Sequence, residues 1–439
     1  MKDKLHKLLA VLLLLSLVGC AGSTATSTAP PTDQGRAPGN MAQSEAPRVT
    51  NPDVTPDELA QLAIGNNTFA LDLYQAVRGV QGNLFYSPYS ISVALAMTYA
   101  GARGETEEQM AETLHYTLPQ TRLHPAFNAL GLELARRAEV SGSEAEEEDG
   151  FRLEIANAVW AQQGYTFLSE YLDLLARNYG AGVRLLDFEA PSQARQTINQ
   201  WVSEQTEGKI QDLLPEGALT RLTRLVLTNA IYFKAAWAYP FEEAQTQDAP
   251  FYLLDGGDTS VSMMRQTEAL MYVEDKGYQA LELPYVGDDL SMLILLPESG
   301  TFESFERDLT AAQIDGIAQR LDRRNVALAL PKFEFDARLQ LSNVLTQMGM
   351  PNAFAPQAAN LAGIDGTRDL YIQDVLHKAY VAVDEAGTEA AAATGVVVGI
   401  TSAPLEPVQV TVDHPFIFLI RDKETGAILF IGRVVNPSA

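Results

Sequence analysis

The sequence predicts an α+β domain built mainly on antiparallel sheets, and two regional patterns support this fold class. Apolar residues recur at helical intervals in the first third of the chain, whereas short β-branched and aromatic runs dominate the last half. Helices therefore come first and strands later, without the alternation of a βαβ protein. Because no linker-like segment and no internal repeat interrupts residues 53–439, we predict a single domain over that range.

Three signals place the first helices. The leucines and other apolar residues from Leu59 to Leu73 recur every three or four positions, as on one face of a helix. Ser87-Pro88 is typical of an N-cap followed by proline in the first turn, so a helix is predicted to begin there. Thr106-Glu-Glu-Gln109 fits a capping box and predicts the start of the next helix. The acidic segment 141–150 is predicted to be a loop.

Strands are predicted where short β-branched or aromatic runs occur between turn residues. These runs are residues 225–233, 292–296, 326–330, 408–412, 416–420 and 428–435. The turn sequence at 422–426 joins the last two runs and predicts a β-hairpin.

Charge and composition exclude several classes of function. The 439 residues contain 31 Lys and Arg against 56 Asp and Glu, a formal net charge of −25. Such a surface repels the phosphates of nucleic acids, so no nucleic-acid partner is expected. With one cysteine and no ligand-like spacing among the five histidines, neither a metal site nor a cofactor is predicted. An enzyme is also not expected, since no Gly-x-Ser-x-Gly elbow occurs, and a hydrolase could at most use His377 with Ser87.

The N-terminus carries export signals. Three lysines precede the apolar run 8–18, which as a helix would rise only about 16 Å, too little to span a bilayer. Residues 1–19 are therefore predicted to be a signal peptide. Leu17-Val-Gly-Cys20 resembles the lipobox of bacterial lipoproteins, which implies cleavage before Cys20 and lipidation of its thiol. The alternative is an ordinary secretory signal with a chance cysteine.

Residues 20–52 are rich in Ser, Thr, Pro and Gly and contain no aromatic residue. Such a segment buries too little apolar area to offset its ordering entropy, so we predict a flexible tether. With the lipid on Cys20, this organisation predicts an exported protein anchored to the cell envelope or facing the extracellular space.

Several blocks spread over residues 55–439 resemble the serpin family of serine protease inhibitors. They are residues 83–91, 198–202, 206–210, 229–237, 413–416 and 430–437. The most specific block is Asp384-Glu-Ala-Gly-Thr-Glu-Ala-Ala-Ala-Ala-Thr394, which is similar to the hinge of the serpin reactive loop. The resemblance implies three β-sheets, about nine helices and an exposed loop that target proteases cleave. After cleavage the serpin loop inserts into the central sheet and carries the acylated protease with it.

The resemblance also implies roles for individual residues. The hinge would comprise Glu385, Gly387, Thr388, Glu389, Ala390, Ala391, Ala392, Ala393 and Thr394. A polar cluster under the central sheet, the shutter, would comprise Ser87, Ser90, Asn229 and His377. The breach, where insertion begins, would comprise Trp237, Lys332 and Glu385. The scissile bond would join Thr401 and Ser402, with Ile400 as the alternative position before the cut.

The loop sequence is compatible with insertion. Every second residue from Thr388 to position 398 is small or β-branched, and the single charge of this stretch, Glu389, falls on the opposite face. No proline lies between positions 388 and 402, so each backbone N–H can join a sheet. The alternative is an ordinary alanine-rich surface helix. While the loop is outside the sheet, Thr388 is expected near the surface.

The resemblance, supported by the loop sequence, implies an irreversible suicide-substrate inhibitor of serine endopeptidases, which we expect to be a monomer. No Arg or Lys lies between Gly387 and Asp413, so a trypsin-like pocket with a buried carboxylate would remain unpaired. Elastase-like or subtilisin-like targets are therefore expected. A non-inhibitory serpin acting as a binding module is the alternative.

Overall fold

The computed structural model describes residues 40–144, 152–388 and 406–438. The described residues form one compact unit. The described helices are α1 (Pro56–Val77), α2 (Pro88–Tyr99), α3 (Glu105–Thr113), α4 (Gln120–Glu144), α5 (Ser169–Tyr179), α6 (Pro191–Gln205), α7 (Phe302–Asp308), α8 (Ala311–Arg320), α9 (Ser342–Met348) and α10 (Ala362–Asp365), with short 3-10 helices at Glu243–Gln245 and Pro351–Phe354. Among the described helices, none is both long enough and apolar enough to cross a membrane.

The described strands come mostly from the second half of the chain, as the sequence predicts. They are β1 (Asn40–Ala42), β2 (Leu84–Tyr86), β3 (Arg152–Gln162), β4 (Val183–Leu186), β5 (Leu225–Ala236), β6 (Gln247–Tyr252), β7 (Asp258–Asp275), β8 (Tyr278–Pro284), β9 (Leu290–Pro297), β10 (Asp322–Pro331), β11 (Phe333–Gln340), β12 (Asp374–Val383), β13 (Gly387–Thr388), β14 (Val408–Thr411), β15 (Phe416–Asp422) and β16 (Ile428–Val434). All six predicted strands are present, and β15 and β16 form the predicted hairpin.

The strands form two hydrogen-bonded sheets. Sheet I has the order β1-β4-β3-β5-β13-β12-β11, and sheet II has the order β14-β10-β7-β8-β9-β15-β16-β2, with β6 also paired to β7. The serpin resemblance implied three sheets. The difference lies in β7, which pairs through Met263–Tyr272 with β10 and through Met271–Asp275 with β8, and so joins two sheets into one. Most pairs are antiparallel, and the parallel pairs are β3–β4, β5–β12 and β10–β14.

Sheet I is buried on both faces, and the alternation of side chains along β5 shows how. Leu227 and Ile231 belong to the main core, whereas Val226 and Ala230 belong to a smaller cluster with Trp201 of α6. Because successive side chains of a strand point to opposite faces, α6 lies on one face of the sheet and the main core on the other. The two clusters hold sheet I between them.

The helix signals had different outcomes. The Ser87 side chain accepts a hydrogen bond from the backbone N–H of Ser90, so the predicted cap of α2 is confirmed. The capping box predicted at Thr106 is wrong, because α3 begins at Glu105 and its N-cap is Gly104, two residues before the predicted cap. The Thr106 hydroxyl instead accepts a hydrogen bond from the backbone of Asn360. A tertiary contact thus replaces the local one. Helix α4 also extends to Glu144, into the segment predicted as an acidic loop.

The described part of the predicted tether, residues 40–52, packs on the domain. Asn40–Ala42 form β1 at the edge of sheet I, and the backbone N–H of Val49 donates to the carbonyl of Arg177. Backbone pairing needs no large side chains, which is why composition did not indicate this strand. Residues 1–39, with the predicted signal peptide and Cys20, lie outside the described residues.

Candidate functional site at the centre of sheet I

The predicted site residues meet along the boundary between β5 and β12, which we call the seam. Along the seam the two strands pair directly and in parallel, from Asp374 opposite Val226 to Tyr380 opposite Tyr232. At its upper end β12 turns at residues 384–386, and the chain returns as β13 between the two strands. A third strand has therefore already entered the top of the seam.

Thr388 lies inside the sheet, contrary to the expectation that it is near the surface. It pairs with Val383 of β12 on one side and with Ala235 of β5 on the other, and its side chain is fully buried. The reason is the turn before it, in which the Asp384 carboxylate accepts hydrogen bonds from the backbone N–H groups of Ala386 and Gly387. This Asx-type turn directs the chain back into the seam.

Gly387 permits this close approach. A Cβ atom at Gly387 would lie 2.2 Å from the carbonyl oxygen of Ala235, well inside van der Waals contact. Only glycine can therefore occupy this position while the chain returns between β5 and β12.

Two aromatic residues contact the turn and the strand β13 that follows it. The Tyr285 hydroxyl lies 2.8 Å from Oγ1 of Thr388, and its ring stacks on Trp237 with centroids 4.7 Å apart. The indole N–H of Trp237 donates to the carbonyl of Asp384 at 3.0 Å. Burial raises the pKa of Tyr285, so its hydroxyl keeps its proton and can donate to Thr388. Trp237 is thus in the predicted neighbourhood, and Tyr285 joins it although sequence reasoning missed it.

The two predicted charges of the breach form an ion pair beside the turn. Lys332 Nζ donates to Glu385 Oε2 at 2.6 Å, and the Thr246 hydroxyl donates to Glu385 Oε1 at 2.7 Å. Burial alone would raise the pKa of Glu385, but its hydrogen bonds and the charge of Lys332 together outweigh burial and lower that pKa. Glu385 is therefore ionised at neutral pH and anchors the turn to the strand connection that carries Lys332.

The predicted shutter residues also come together. Asn229 of β5 and His377 of β12 are opposite each other across the seam, and Nδ1 of His377 is hydrogen-bonded to Oδ1 of Asn229. The Asn229 amide donates to the Ser90 hydroxyl at 2.6 Å, and the backbone N–H of Ser87 donates to Nε2 of His377 at 3.3 Å. All four residues are fully buried.

Asn157 of β3 completes this cluster and was missed from the sequence. It is opposite Asn229 in the sheet register, and its Oδ1 accepts hydrogen bonds from the Ser90 hydroxyl and the Asn229 amide. Three neighbouring strands thus each contribute one polar side chain at the same level. An asparagine within the apolar run 155–161 was the available signal.

Burial keeps His377 neutral. It lowers the pKa of the imidazole to about 3, because a charged ring would lose its hydration in this position. Since Nε2 accepts the Ser87 N–H, the ring proton is on Nδ1, from which it is donated to Asn229. The hydrogen bond from Ser87 to Nε2 therefore depends on a neutral histidine, while the bond to Asn229 across the seam uses the proton on Nδ1.

The hydrolase alternative gains no support from this geometry. His377 contacts the backbone of Ser87, whereas the Ser87 hydroxyl accepts the N–H of Ser90, so no serine–histidine couple is built from these two residues. Within the described ranges, no group of three or more His, Cys, Asp or Glu side chains is placed to hold a metal ion.

The predicted loop lies outside the described residues. This concerns Glu389, Ala390, Ala391, Ala392, Ala393, Thr394, Ile400, Thr401 and Ser402. The described chain ends at Thr388 inside sheet I and resumes at residue 406, ahead of β14 in sheet II.

Comparisons with known proteins identify the family. A family model described as serpin (serine protease inhibitor) matches residues 64–437. The chain belongs to the serpin family. An uncharacterized serpin-like protein of Thermococcus kodakarensis is 43% identical over 375 residues, which is 84% of either chain. The human leukocyte elastase inhibitor is 39% identical over 392 residues, covering 86% of this chain and all of that protein.

Solved serpin structures share the fold. The crystal structure of human thyroxine-binding globulin is 31% identical in sequence, with a TM-score of 0.75, and the match covers 87% of this chain and 99% of that chain. The serpin fold predicted from the sequence is therefore confirmed. In this serpin Gly387 and Thr388, two of the residues predicted to form the hinge, are part of sheet I.

Proposed function

We propose that this serpin is an irreversible inhibitor of serine endopeptidases of the elastase or subtilisin type. The target protease would cleave the loop at Thr401–Ser402 and become acylated, and the loop would then insert between β5 and β12 before the acyl bond is hydrolysed. The observation that carries the proposal is the position of Thr388, which is paired with both strands of the seam. Insertion would continue a strand that has already begun.

The number of backbone hydrogen bonds gained favours continued insertion of the loop. Along the seam β5 and β12 pair directly from Asp374 to Tyr380, and these hydrogen bonds would be exchanged for two new ladders, one on each side of the inserted strand. At about 0.5–1.5 kcal/mol per net hydrogen bond, roughly seven additional bonds would contribute about 4–10 kcal/mol. That gain is comparable to the stability of a whole domain. The side chains at every second position of the loop are small or β-branched, which suits a strand buried between β5 and β12.

Specificity follows from the loop sequence. No Arg or Lys lies between Gly387 and Asp413, and the residues before the proposed bond are Val, Gly, Ile and Thr. A shallow apolar specificity pocket accepts such residues, whereas a pocket with a buried carboxylate would lose its partner. The name of the human relative, leukocyte elastase inhibitor, is in line with this specificity.

The test is formation of a covalent complex. The protein is incubated separately with pancreatic elastase, subtilisin and trypsin, and the products are separated on denaturing gels. We expect an SDS-resistant adduct with elastase or subtilisin and none with trypsin. Cleavage of the loop by elastase and subtilisin without any adduct would contradict the proposal.

The alternative function is that of a non-inhibitory serpin that binds a ligand or partner. The structural likeness to human thyroxine-binding globulin is the observation that favours it. Such a protein would be cleaved in its loop without trapping the protease, which is the contradicting outcome above.

We also propose that the inhibitor is exported as a monomer and anchored through lipid on Cys20. The proposal depends on the lipobox-like sequence before Cys20 and on the single-cysteine composition. Anchored in this way, it would act on proteases that reach the cell surface.

A further inference from the structure

The segment 40–49, which we call the strap, fastens one edge of sheet I. Its first residues form β1, which pairs antiparallel with β4 so that Met41 is opposite Arg184 and Ala42 is opposite Val183. Without β1, β4 would be the edge strand of the sheet. The strap therefore covers an otherwise unpaired edge.

Beyond β1 the strap is tied to two helices. The Ser44 hydroxyl donates to the Asp173 carboxylate on α5. Arg48 Nε donates to Oδ1 of Asn128 on α4 at 2.8 Å, and the Asn128 amide returns a 2.7 Å hydrogen bond to the carbonyl of Val49. Asn128 is fully buried, whereas Arg48 and Val49 are exposed, so the strap is bonded to the interior through this one asparagine. One short segment thus joins the edge of the sheet to the helices beside it.

Gly182, the residue before β4, leaves room for the strap because it has no side chain. A Cβ atom at Gly182 would lie 2.7 Å from the carbonyl oxygen of Ala42 and 2.8 Å from Cβ of Gln43. The backbone of Gly182 is not in the left-handed region, so its own conformation does not require glycine. The close approach of the strap is what leaves no room for a side chain there.

The strap also affects the position of α6, the helix that covers one face of sheet I. Arg184, the register partner of Met41, has its guanidinium 4.4 Å from the ring centroid of Trp201 on α6 and 5.5 Å from that of Trp160 on β3. Such cation–π contacts stabilise the position of α6 over sheet I. The strap holds the strand from which this arginine extends.

These contacts matter because of which strands must move. Opening of the seam separates β4, β3 and β5 on one side from β12 and β11 on the other. The strap is bonded to β4 and, through Arg48 and Val49, to α4. Movement of β4 relative to α4 therefore has to break strap contacts on at least one side.

We propose that the strap is a brake on loop insertion: while it is docked, the uncleaved protein keeps its loop outside the seam, and its release speeds spontaneous insertion. The inference assumes the loop insertion of the proposed function but not the trapping of a protease. Because the strap belongs to the segment predicted as a tether, residues 20–52, cutting or pulling the residues before it would be the means of release.

The experiment compares full-length variants. In one, residues 40–49 are replaced by alternating Gly and Ser; in another, Gly182→Ala expels the strap without altering its sequence. Gly316→Ala is the matched control, since a Cβ there meets no atom within 4 Å. Each uncleaved protein is held at a fixed raised temperature, and the half-time of conversion to a form whose loop resists subtilisin is measured.

We expect the half-time to fall about tenfold with the replaced strap, severalfold with Gly182→Ala and not at all with Gly316→Ala. Gly182→Ala should have no further effect once the strap is replaced, because its steric partner is gone. Equal half-times for the wild type and the replaced strap would overturn the proposal, and so would acceleration by Gly182→Ala in the replaced background.

The outcome also separates this inference from the proposed function. Strap-dependent conversion in a protein that never traps a protease would reject protease inhibition and retain the strap. Protease trapping with strap-independent conversion would retain protease inhibition and reject the role of the strap.

Discussion

Replacing Thr388 by arginine should turn the proposed inhibitor into a substrate. In the structure the Thr388 side chain is fully buried between β5 and β12 and contacts the Tyr285 hydroxyl. A guanidinium in this position would have no charged partner and too little space. We expect the chain from Gly387 onward to leave the seam rather than bury the charge.

The magnitude follows from the contacts of β13. Withdrawing β13 gives up the backbone pairing of Gly387 and Thr388 and the Tyr285 bond, each worth about 0.5–1.5 kcal/mol. Burying an unpaired charge costs several kcal/mol, so withdrawal is the less costly response. The uncleaved protein should therefore remain folded, with its free energy of unfolding reduced by about 1–4 kcal/mol.

The larger effect should be kinetic. After cleavage, the arginine introduced by Thr388→Arg would have to enter the sheet before any following residue could insert. If this raises the insertion barrier by about 3 kcal/mol, insertion slows by roughly a hundredfold. Hydrolysis of the acyl bond then occurs first and the protease is released. On denaturing gels, the covalent complex with elastase or subtilisin should decrease while cleaved inhibitor increases.

Two controls sharpen the test. Glu389→Arg places the same charge on the face that the alternation assigns to solvent, and it should behave nearly as wild type. Thr388→Val keeps the shape but leaves the Tyr285 hydroxyl without a partner, so it should lower stability by about 1–3 kcal/mol and retain inhibition. Equal loss of complex from Thr388→Arg and Glu389→Arg would refute the assignment of faces and the insertion argument with it.

Three other predictions concern the seam and the anchor. Burial lowers the pKa of His377 to about 3 from 6.5, so the unfolded chain takes up a proton first and the free energy of unfolding should decrease as the pH falls below 6.5. This contribution is up to about 1.4 kcal/mol per pH unit, and denaturant titrations from about pH 7 to about pH 5 should show a shallower pH dependence for His377→Gln. Glu385→Gln should cost less than about 1 kcal/mol, because the side chain of its partner Lys332 is 40% exposed; a much larger loss by the same titration would mean that the pair is more than a local anchor. Cys20→Ser should remove the lipid and release the protein from membranes, and an unchanged processed mass with unchanged membrane fractionation would contradict the lipobox interpretation.

The sequence could predict the fold because local signals and the serpin-like blocks agreed. Ser87 caps α2 as its pattern indicates, and the turn at 422–426 closes the predicted hairpin. The prediction was incomplete where a tertiary contact overrides a local pattern. Thr106 is drawn away from its cap by the backbone of Asn360, and β7 extends across what were expected to be two sheets.

The sequence predicted most residues of the site, but not that Thr388 is paired inside sheet I. Asn229 and His377 lie in contact as the resemblance implies, whereas Asn157 and Tyr285 join through strand register, which no single segment encodes. The burial of Thr388 depends on a turn closed by the Asp384 carboxylate and on the missing side chain of Gly387. Each of those features is local, but their combined effect on the chain direction requires the three-dimensional structure.

The most direct test of the account is the structure of the protein after cleavage of its loop. A crystal structure of the cleaved form should show a new strand between β5 and β12, beginning at Thr388, with positions 390, 392 and 394 on the same face as Thr388. The spacing of the two strands at Ala230 and Lys378, which are now direct partners, should increase from about 4.8 Å to about 9.6 Å. A cleaved protein in which His377 still faces Asn229 across a closed seam would contradict insertion, and the proposed mechanism of inhibition would fail with it.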